Sequence, residues 1–429
     1  MSPIVSSLIH SLLGLVDLGI FLALVFGAVA IYTDWLIHSK IHRYIHNIKW
    51  ITLEIRVPSA NFKSAKAMEQ VFTSLHGIYS FGIKPEEVYK EGKVEDWISC
   101  EIVGSADGVK FYITTPSKFR NLIESSFFSQ YPDVEIEEVE DYMKHLPEVI
   151  PNGDYDLFGQ DYILARDGFY PIRTYQEFEG IKEEVSTDSL APLMEAMSNL
   201  KGEERILMQL LIKAAGDSWK KKGEAEIAKI AGQPKKEEKK GDVLTSSGQF
   251  TKNLILAPII YPTWGGSPEK KAEQPVKFLN PYEQNTAKAI AVKIGKVGFE
   301  TIFRVIYIDK KEGFNKANLS ALSGALRVFN TQDLNSFRPG NGTLTSSSKV
   351  GRTFKKQRLL ERKRLLFRAY KERLVKLQIH QYLHLQDSVL NAEELATLYH
   401  PPASFVQAPR LTQLEAKKGT PPMNLPVSE

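Results

Sequence analysis

Residues 98–115 read ISCEIVGSADGVKFYITT, and this stretch decides the fold. Ile98, Cys100 and Ile102 alternate with polar residues, Val109 to Thr115 is again strand-forming, and Asp107-Gly108 between them is a hairpin signal, because glycine accepts positive φ without a Cβ penalty. The two runs are expected to pair antiparallel. Upstream, Leu53, Ile55 and Val57 alternate with Thr52, Glu54 and Arg56 in a half-buried strand stopped by Pro58, and Ala65, Met68, Phe72, Leu75 and Tyr79 fall at helical spacing. Downstream, Ser117 is placed to cap a helix through Phe119, Leu122, Ile123 and Phe127, and Val134 to Val139 makes a last strand beyond Pro132. The order βαββαβ over 51–145 is that of a ferredoxin-like unit, in which two helices cover one face of a four-stranded antiparallel sheet.

A second α+β unit is expected over 155–338. Tyr155 to Tyr170 reads as a hairpin around Gly159, Ile206 to Ile212 as a strand, and Trp219, Ile227 and Ile230 as a helix ending at Gly232. Residues 233–278 turn to Lys/Glu and then Gly, Ser and Pro, a composition expected to form a disordered insertion. Order resumes at Asn280-Pro281-Tyr282-Glu283, which has the form of a capping box, followed by a helix, the strand Phe299 to Asp309, and a helix lined by Leu319, Leu322, Leu326 and Phe329.

Ahead of both units, Leu18 to Thr33 carries no charge, and the apolar run reaches back to Leu12 with only Asp17 interrupting. At about 1.5 Å per residue this crosses a hydrocarbon core of about 30 Å. Ala28-Val29-Ala30 resembles a signal-peptide cleavage site, but residues 1–16 hold no Lys or Arg, whereas Lys40, Arg43 and Lys49 follow the run. That asymmetry predicts a single-pass anchor over 1–50 in the inner (cytoplasmic) membrane, with the N-terminus outside, membrane lipid around it and the body in the cytoplasm. Gly19, Ala23 and Gly27 recur every fourth residue, a candidate helix–helix face for a homo-oligomer. Asp34, His38, His42 and His46 share that spacing but span too great a length for one metal ion, and read as a polar stripe at the headgroup level.

The chain has 429 residues, a net charge of +4 and one cysteine, which excludes an internal disulfide framework. Its positive charge is concentrated. Lys349 to Lys376 holds twelve Lys or Arg and two acids, with Leu359, Leu366, Phe367, Tyr370 and Leu377 interleaved at roughly helical spacing, so a basic helical segment is expected within 339–429. Arg362, Lys363, Arg364, Leu366, Arg368 and Tyr370 are its candidate contacts, and nucleic acid phosphates, anionic lipid and an acidic protein surface all fit them. Acidic Glu135 and Glu137 alternate with Val134 and Ile136 and read as the wet face of a strand. There is no G-x-x-x-x-G-K-[ST] loop and no G-x-S-x-G elbow, and no residue is assigned to catalysis, a cofactor or a metal.

Four runs carry a resemblance. They are Ala67 to Phe72 (AMEQVF) with Leu75-His76-Gly77, Val134 to Tyr142 (VEIEEVEDY), Tyr170 to Tyr175 (YPIRTY) and Leu390 to Pro401 (LNAEELATLYHP). Together they resemble the membrane-anchored N-terminal region of bacterial type IV secretion and conjugation coupling-type ATPases of the HerA-like group, often seen in candidate-phylum bacteria. In that family a Lys- and Pro-rich stretch like Lys417 to Pro426 leads into the P-loop motor, whereas this sequence stops at Glu429. The resemblance therefore implies a non-enzymatic tether and assembly module, with the ring ATPase in trans. The alternative is a membrane-bound nucleic-acid-binding protein working through residues 351–377.

Overall fold

The hairpin forms where its turn residues require it: β2 (Ile98–Ser105) and β3 (Gly108–Pro116) pair antiparallel, and Gly108 holds φ +118°. The computed structural model describes residues 3–58, 63–79, 83–179, 187–232, 279–340, 342–346, 354–375 and 388–402. The segment 233–278, Leu377, His380, His384 and the tail Lys417 to Pro426 lie outside the described residues.

The remaining strands are β1 (Trp50–Arg56), β4 (Glu135–Val139), β5 (Tyr155–Leu164), β6 (Arg205–Ala214), β7 (Gly298–Lys310), β8 (Phe337–Pro339) and β9 (Ser388–Asn391). All nine join one antiparallel sheet in the order β4-β1-β3-β2-β6-β7-β5-β8, with β9 on β7. The segments 51–145 and 155–338, expected as separate units, are therefore continuous, because β2 pairs β6 from Ile98↔Ile212 to Gly104↔Ile206.

One face of the sheet supplies the main core. Leu53, Ile55, Ile98, Cys100, Ile102, Ile113, Met208, Leu210, Phe303 and Val305 point there. They are covered by α2 (Ala65–Leu75), α4 (Arg120–Gln130), α6 (Ala191–Ser198), α9 (Lys316–Arg327) and α11 (Ala392–Leu398). Ser117 opens a single 3₁₀ turn, and α4 itself starts at Arg120. Outside this layer α7 (Ser218–Ile230) packs on α8 (Pro281–Ile294), whose N-terminus is the expected capping box of Asn280 and Glu283. Short α5 (Tyr175–Phe178) completes that set, while short α3 (Pro85–Glu91) lies against α1.

The opposite face is covered by the end of α1 (Pro3–His46) and by α10 (Lys355–Lys371), which was expected as a free amphipathic helix. Leu366, Phe367 and Tyr370 of α10 are buried against Leu157, Leu207, Ile306 and Ile308. The apolar stripe is thus a core face of this chain.

That packing also corrects the reading of Gly159. No turn forms there: β5 runs straight through it. A Cβ at Gly159 would lie 2.8 Å from Leu366 Cδ2 and 3.0 Å from the Val305 carbonyl oxygen, so glycine serves the close approach of α10 to the sheet.

Candidate functional site

Alternation leaves the second face of the central strands with polar residues, and register lines them up. Glu54 of β1 faces Tyr112 of β3, which faces Glu101 of β2, then Gln209 of β6, Arg304 of β7 and Asp161 of β5. This row crosses six strands, and its middle lies under α10. Burying charges is costly unless every one is paired, and here most are. Arg304 donates from Nε to Asp161 (2.8 Å), and from Nη1 to Gln209 (3.0 Å) and the Ala369 carbonyl of α10 (2.8 Å). Gln209 donates to Glu101 (3.0 Å) and to the Tyr370 carbonyl (3.1 Å). Arg373, just past α10, spans Glu101 (2.8 and 3.1 Å) and Asp141 (2.6 and 3.0 Å) in two bidentate pairs. Tyr142 closes the group, donating to Glu101 at 2.8 Å and lying 2.8 Å from the Tyr370 hydroxyl.

The acids respond differently. Burial pushes Asp161 up, against the pull of Arg304. Asp141 is also raised by burial, but Arg373 outweighs this and holds it below the usual carboxylate range.

The row therefore seals α10 to the sheet. At each end the helix is flanked by a non-glycine residue in the left-handed region, Phe354 and Arg373, both at φ +52°.

The sequence-derived candidates separate accordingly. Leu366 and Tyr370 face the core. Arg362 donates to the Leu344 carbonyl (3.0 Å) and Lys363 pairs with Asp156 (2.6 Å), so both are engaged within the chain. Arg364 and Arg368 are exposed, Arg368 beside Glu372 at 2.9 Å, and Lys355, Lys356 and Arg358 at the start of the helix are exposed as well. Gly19 and Gly27 of α1 have open space beside them, with Ala23 exposed between.

α1 enters the body without a linker. α1 contains a stretch, Val16–His46, long and apolar enough to cross a membrane, and its last turns pack Ile37, Ile41, Tyr44 and Ile45 against Trp97, Leu211, Ile302, Leu365 and Ala369. Lys40 donates to the Tyr89 carbonyl of α3 at 2.8 Å. Gly92, at φ +70°, lets the α3 C-terminus lie on the α1 backbone.

The four fingerprint runs meet in this architecture as fasteners. Tyr175 donates to Glu69 (2.6 Å), the Ile172 amide to Glu394 (2.9 Å) and the Tyr175 amide to the Thr397 hydroxyl (3.0 Å), which joins three of the runs. The fourth supplies Asp141 and Tyr142 on the other face. Lys296 bridges Glu69 (2.6 Å) and Glu393, while Lys293 and Glu394 form a fully buried pair at 2.9 Å. Burial moves Lys293 down and Glu394 up, toward neutrality. Nothing in single-sequence reading marked Lys293, Arg304 or Arg373 as core residues. Their positions on strands and helices become buried only once segments far apart in sequence come together.

His400 ends this fastening. Its Nε2 lies 3.1 Å from Asp188 and its Nδ1 2.7 Å from the Ala396 carbonyl, so both nitrogens serve acceptors as an imidazolium. Burial lowers its pKa, but Asp188 outweighs burial and the net shift is upward from 6.5. A raised folded-state pKa gives stability that is complete below the unfolded value and lost as pH rises through the folded one. The melting-temperature difference between the native chain and His400→Gln should therefore shrink as pH rises from below 6.5 into the alkaline range. A difference that stays flat or grows would show that His400 is held neutral.

A family model described as a domain of unknown function (DUF8128) matches residues 39–407. No curated protein matches the chain.

Proposed function

The chain belongs to the DUF8128 family, and from that premise we propose that it is a non-enzymatic membrane tether and assembly module for a ring ATPase of the DNA- or protein-translocating kind. In this reading α1 crosses the inner membrane with its N-terminus outside, and the body is cytoplasmic, as the basic flank after the apolar run favours. Residues 51–145, with strand order β4-β1-β3-β2 and two helices on one face, are read as a ferredoxin-like half of the platform.

The observation that carries the proposal is the junction. α1 continues as one helix into the body and is gripped there by α3 and by the residues around Trp97 and Leu365. A flexible leash would only localise a partner, whereas a gripped helix fixes the body's orientation on the membrane and passes load to the bilayer. The ring ATPase itself comes from the resemblance of the four runs.

The second reading, nucleic-acid binding, is favoured by the exposed Lys355, Lys356, Arg358 and Arg364. One pair of measurements separates the two. As a tether, the detergent-solubilised chain should capture a HerA-like ring ATPase, and Lys355→Glu/Lys356→Glu/Arg358→Glu should reduce capture mainly through the association rate. As a nucleic-acid binder, its affinity for duplex DNA should fall by about 0.9 log units per log unit of salt for each phosphate neutralised, and the same variant should flatten that slope. A reporter fused to the C-terminus should be active on the cytoplasmic side. A periplasmic signal, or ATP turnover abolished by a point mutation in this chain, would overturn the tether.

A further inference from the structure

We infer that the groove beside the C-terminal half of α10 is a binding site for the phosphate of an anionic lipid headgroup. The inference rests on the reading of α1 as a membrane-spanning helix and adds a ligand site to the body. The groove encloses roughly 510 Å³ and is lined by Arg364, Leu365, Phe367, Arg368, Lys371 and Glu372 of the α10 region, with Glu148 and Val149 on the facing wall. Arg364, Arg368 and Lys371 stand at i, i+4 and i+7, one strip of a helix. Glu372 takes Arg368, at 2.9 Å. Among the described residues the side chains of Arg364 and Lys371 have no hydrogen-bond or ion-pair partner, and with Glu148 across from them the three cations and two acids of the groove leave it one net positive charge. Val149 is an exposed apolar residue on the facing wall, which suits a lipid's glycerol better than a bare anion.

The height of the groove selects the source of the phosphate. Leu365, in its floor, packs in the same cluster as Ile37, Ile41, Tyr44 and Ile45 of α1. Counting from Thr33, the last residue of the uncharged run, at about 1.5 Å per residue, those side chains lie about 6–18 Å beyond the hydrocarbon edge. The headgroup layer occupies roughly the first 5–8 Å. Arginine and lysine have long, flexible stems that extend their charged ends toward an interface. The groove therefore begins beside the part of the body that α1 enters, from where flexible cationic side chains can reach toward the lipid phosphates of the leaflet that α1 leaves. A nucleic acid would have to enter between the body and the bilayer to use the same cations. The other end of α10, with Lys355, Lys356 and Arg358, lies beyond Lys363 and its partner Asp156 on β5, away from the anchor.

The test uses the full chain in nanodiscs of phosphatidylcholine with a minor fraction of phosphatidylglycerol, and reads by mass spectrometry the lipid retained on the protein after gentle extraction. The native chain should retain phosphatidylglycerol well above its bulk fraction. Arg364→Gln/Lys371→Gln should lose that enrichment, by about five-fold for each cation removed. Lys355→Gln/Lys356→Gln, an equal loss of charge at the far end of the helix, should retain it. All four residues are exposed or partly exposed, and unchanged thermal unfolding confirms that the variants fold. Equal retention by the two double variants would overturn the site. Displacement of the lipid by inorganic phosphate, or by a short DNA duplex at physiological salt, would overturn the lipid as its occupant. Resistance of the chain to alkaline extraction from membranes reports separately on α1. Absence of enrichment in a native chain that remains membrane-embedded then refutes the groove alone.

Discussion

Replacing Arg304 by methionine should lower the unfolding free energy by about 3–5 kcal/mol, because it leaves Asp161 buried without its counter-charge. Arg304 is fully buried, and its guanidinium joins β5, β6 and the last turn of α10 through Asp161, Gln209 and the Ala369 carbonyl. Burial already pushes Asp161 up, so without Arg304 it should take up a proton, which keeps the loss within that range rather than at the far larger cost of a carboxylate left ionised in the core. The double variant Arg304→Met/Asp161→Leu should recover much of the loss, since the desolvation penalty disappears with the pair. It should not recover all of it, because Gln209 and the Ala369 carbonyl remain without their donor. Urea unfolding in detergent measures both variants, and hydrogen exchange should show residues 366–373 opening before the sheet. A single variant within about 1 kcal/mol of the native chain, or a double variant no better than the single, would mean that the row is not a closed electrostatic unit.

The second large effect is expected where α1 joins the body. Gly92→Ala places a Cβ 2.6 Å from the Ile41 backbone nitrogen, in a residue held at φ +70°. The left-handed conformation alone costs a non-glycine residue about 1–3 kcal/mol, and no rotamer change relieves a clash with backbone. α3 should separate from α1, breaking the bond from Lys40 to the Tyr89 carbonyl while the sheet stays intact. Distances between spin labels on α1 and α3 should broaden, and the segment between His46 and Trp50 should become open to protease. Gly77→Ala is the control, since a Cβ there meets nothing within 4 Å, and it should be silent. An unchanged junction in Gly92→Ala would show that the grip depends on the apolar residues Ile37, Ile41 and Tyr44 alone.

What could be read without coordinates was governed by short-range chemistry. The uncharged run before Asp34, the Asp107-Gly108 turn, the Asn280 capping box and the alternation of Ile98, Cys100 and Ile102 each depend on residues within a few positions of one another. Periodicity and turn chemistry are local, so they survive in the one-dimensional record. The placement of α10 does not. Its charge suggested a free surface, yet Leu366 and Tyr370 were core residues. Gly159 likewise suggested a turn, although it is the gap into which Leu366 fits.

The sequence by itself determined that an apolar helix precedes a mixed α/β body, and where most strands and helices of that body begin and end. Only the tertiary structure decided that the strands form one sheet, that α10 covers its second face, and that the fingerprint runs are fasteners. The reason is physical: whether Glu101, Arg304 or Lys293 is wet or buried depends on partners about 100 residues or more away, such as Arg373, Asp161 and Glu394. A polar side chain on a strand looks like a solvent face until another segment closes over it and supplies its opposite charge.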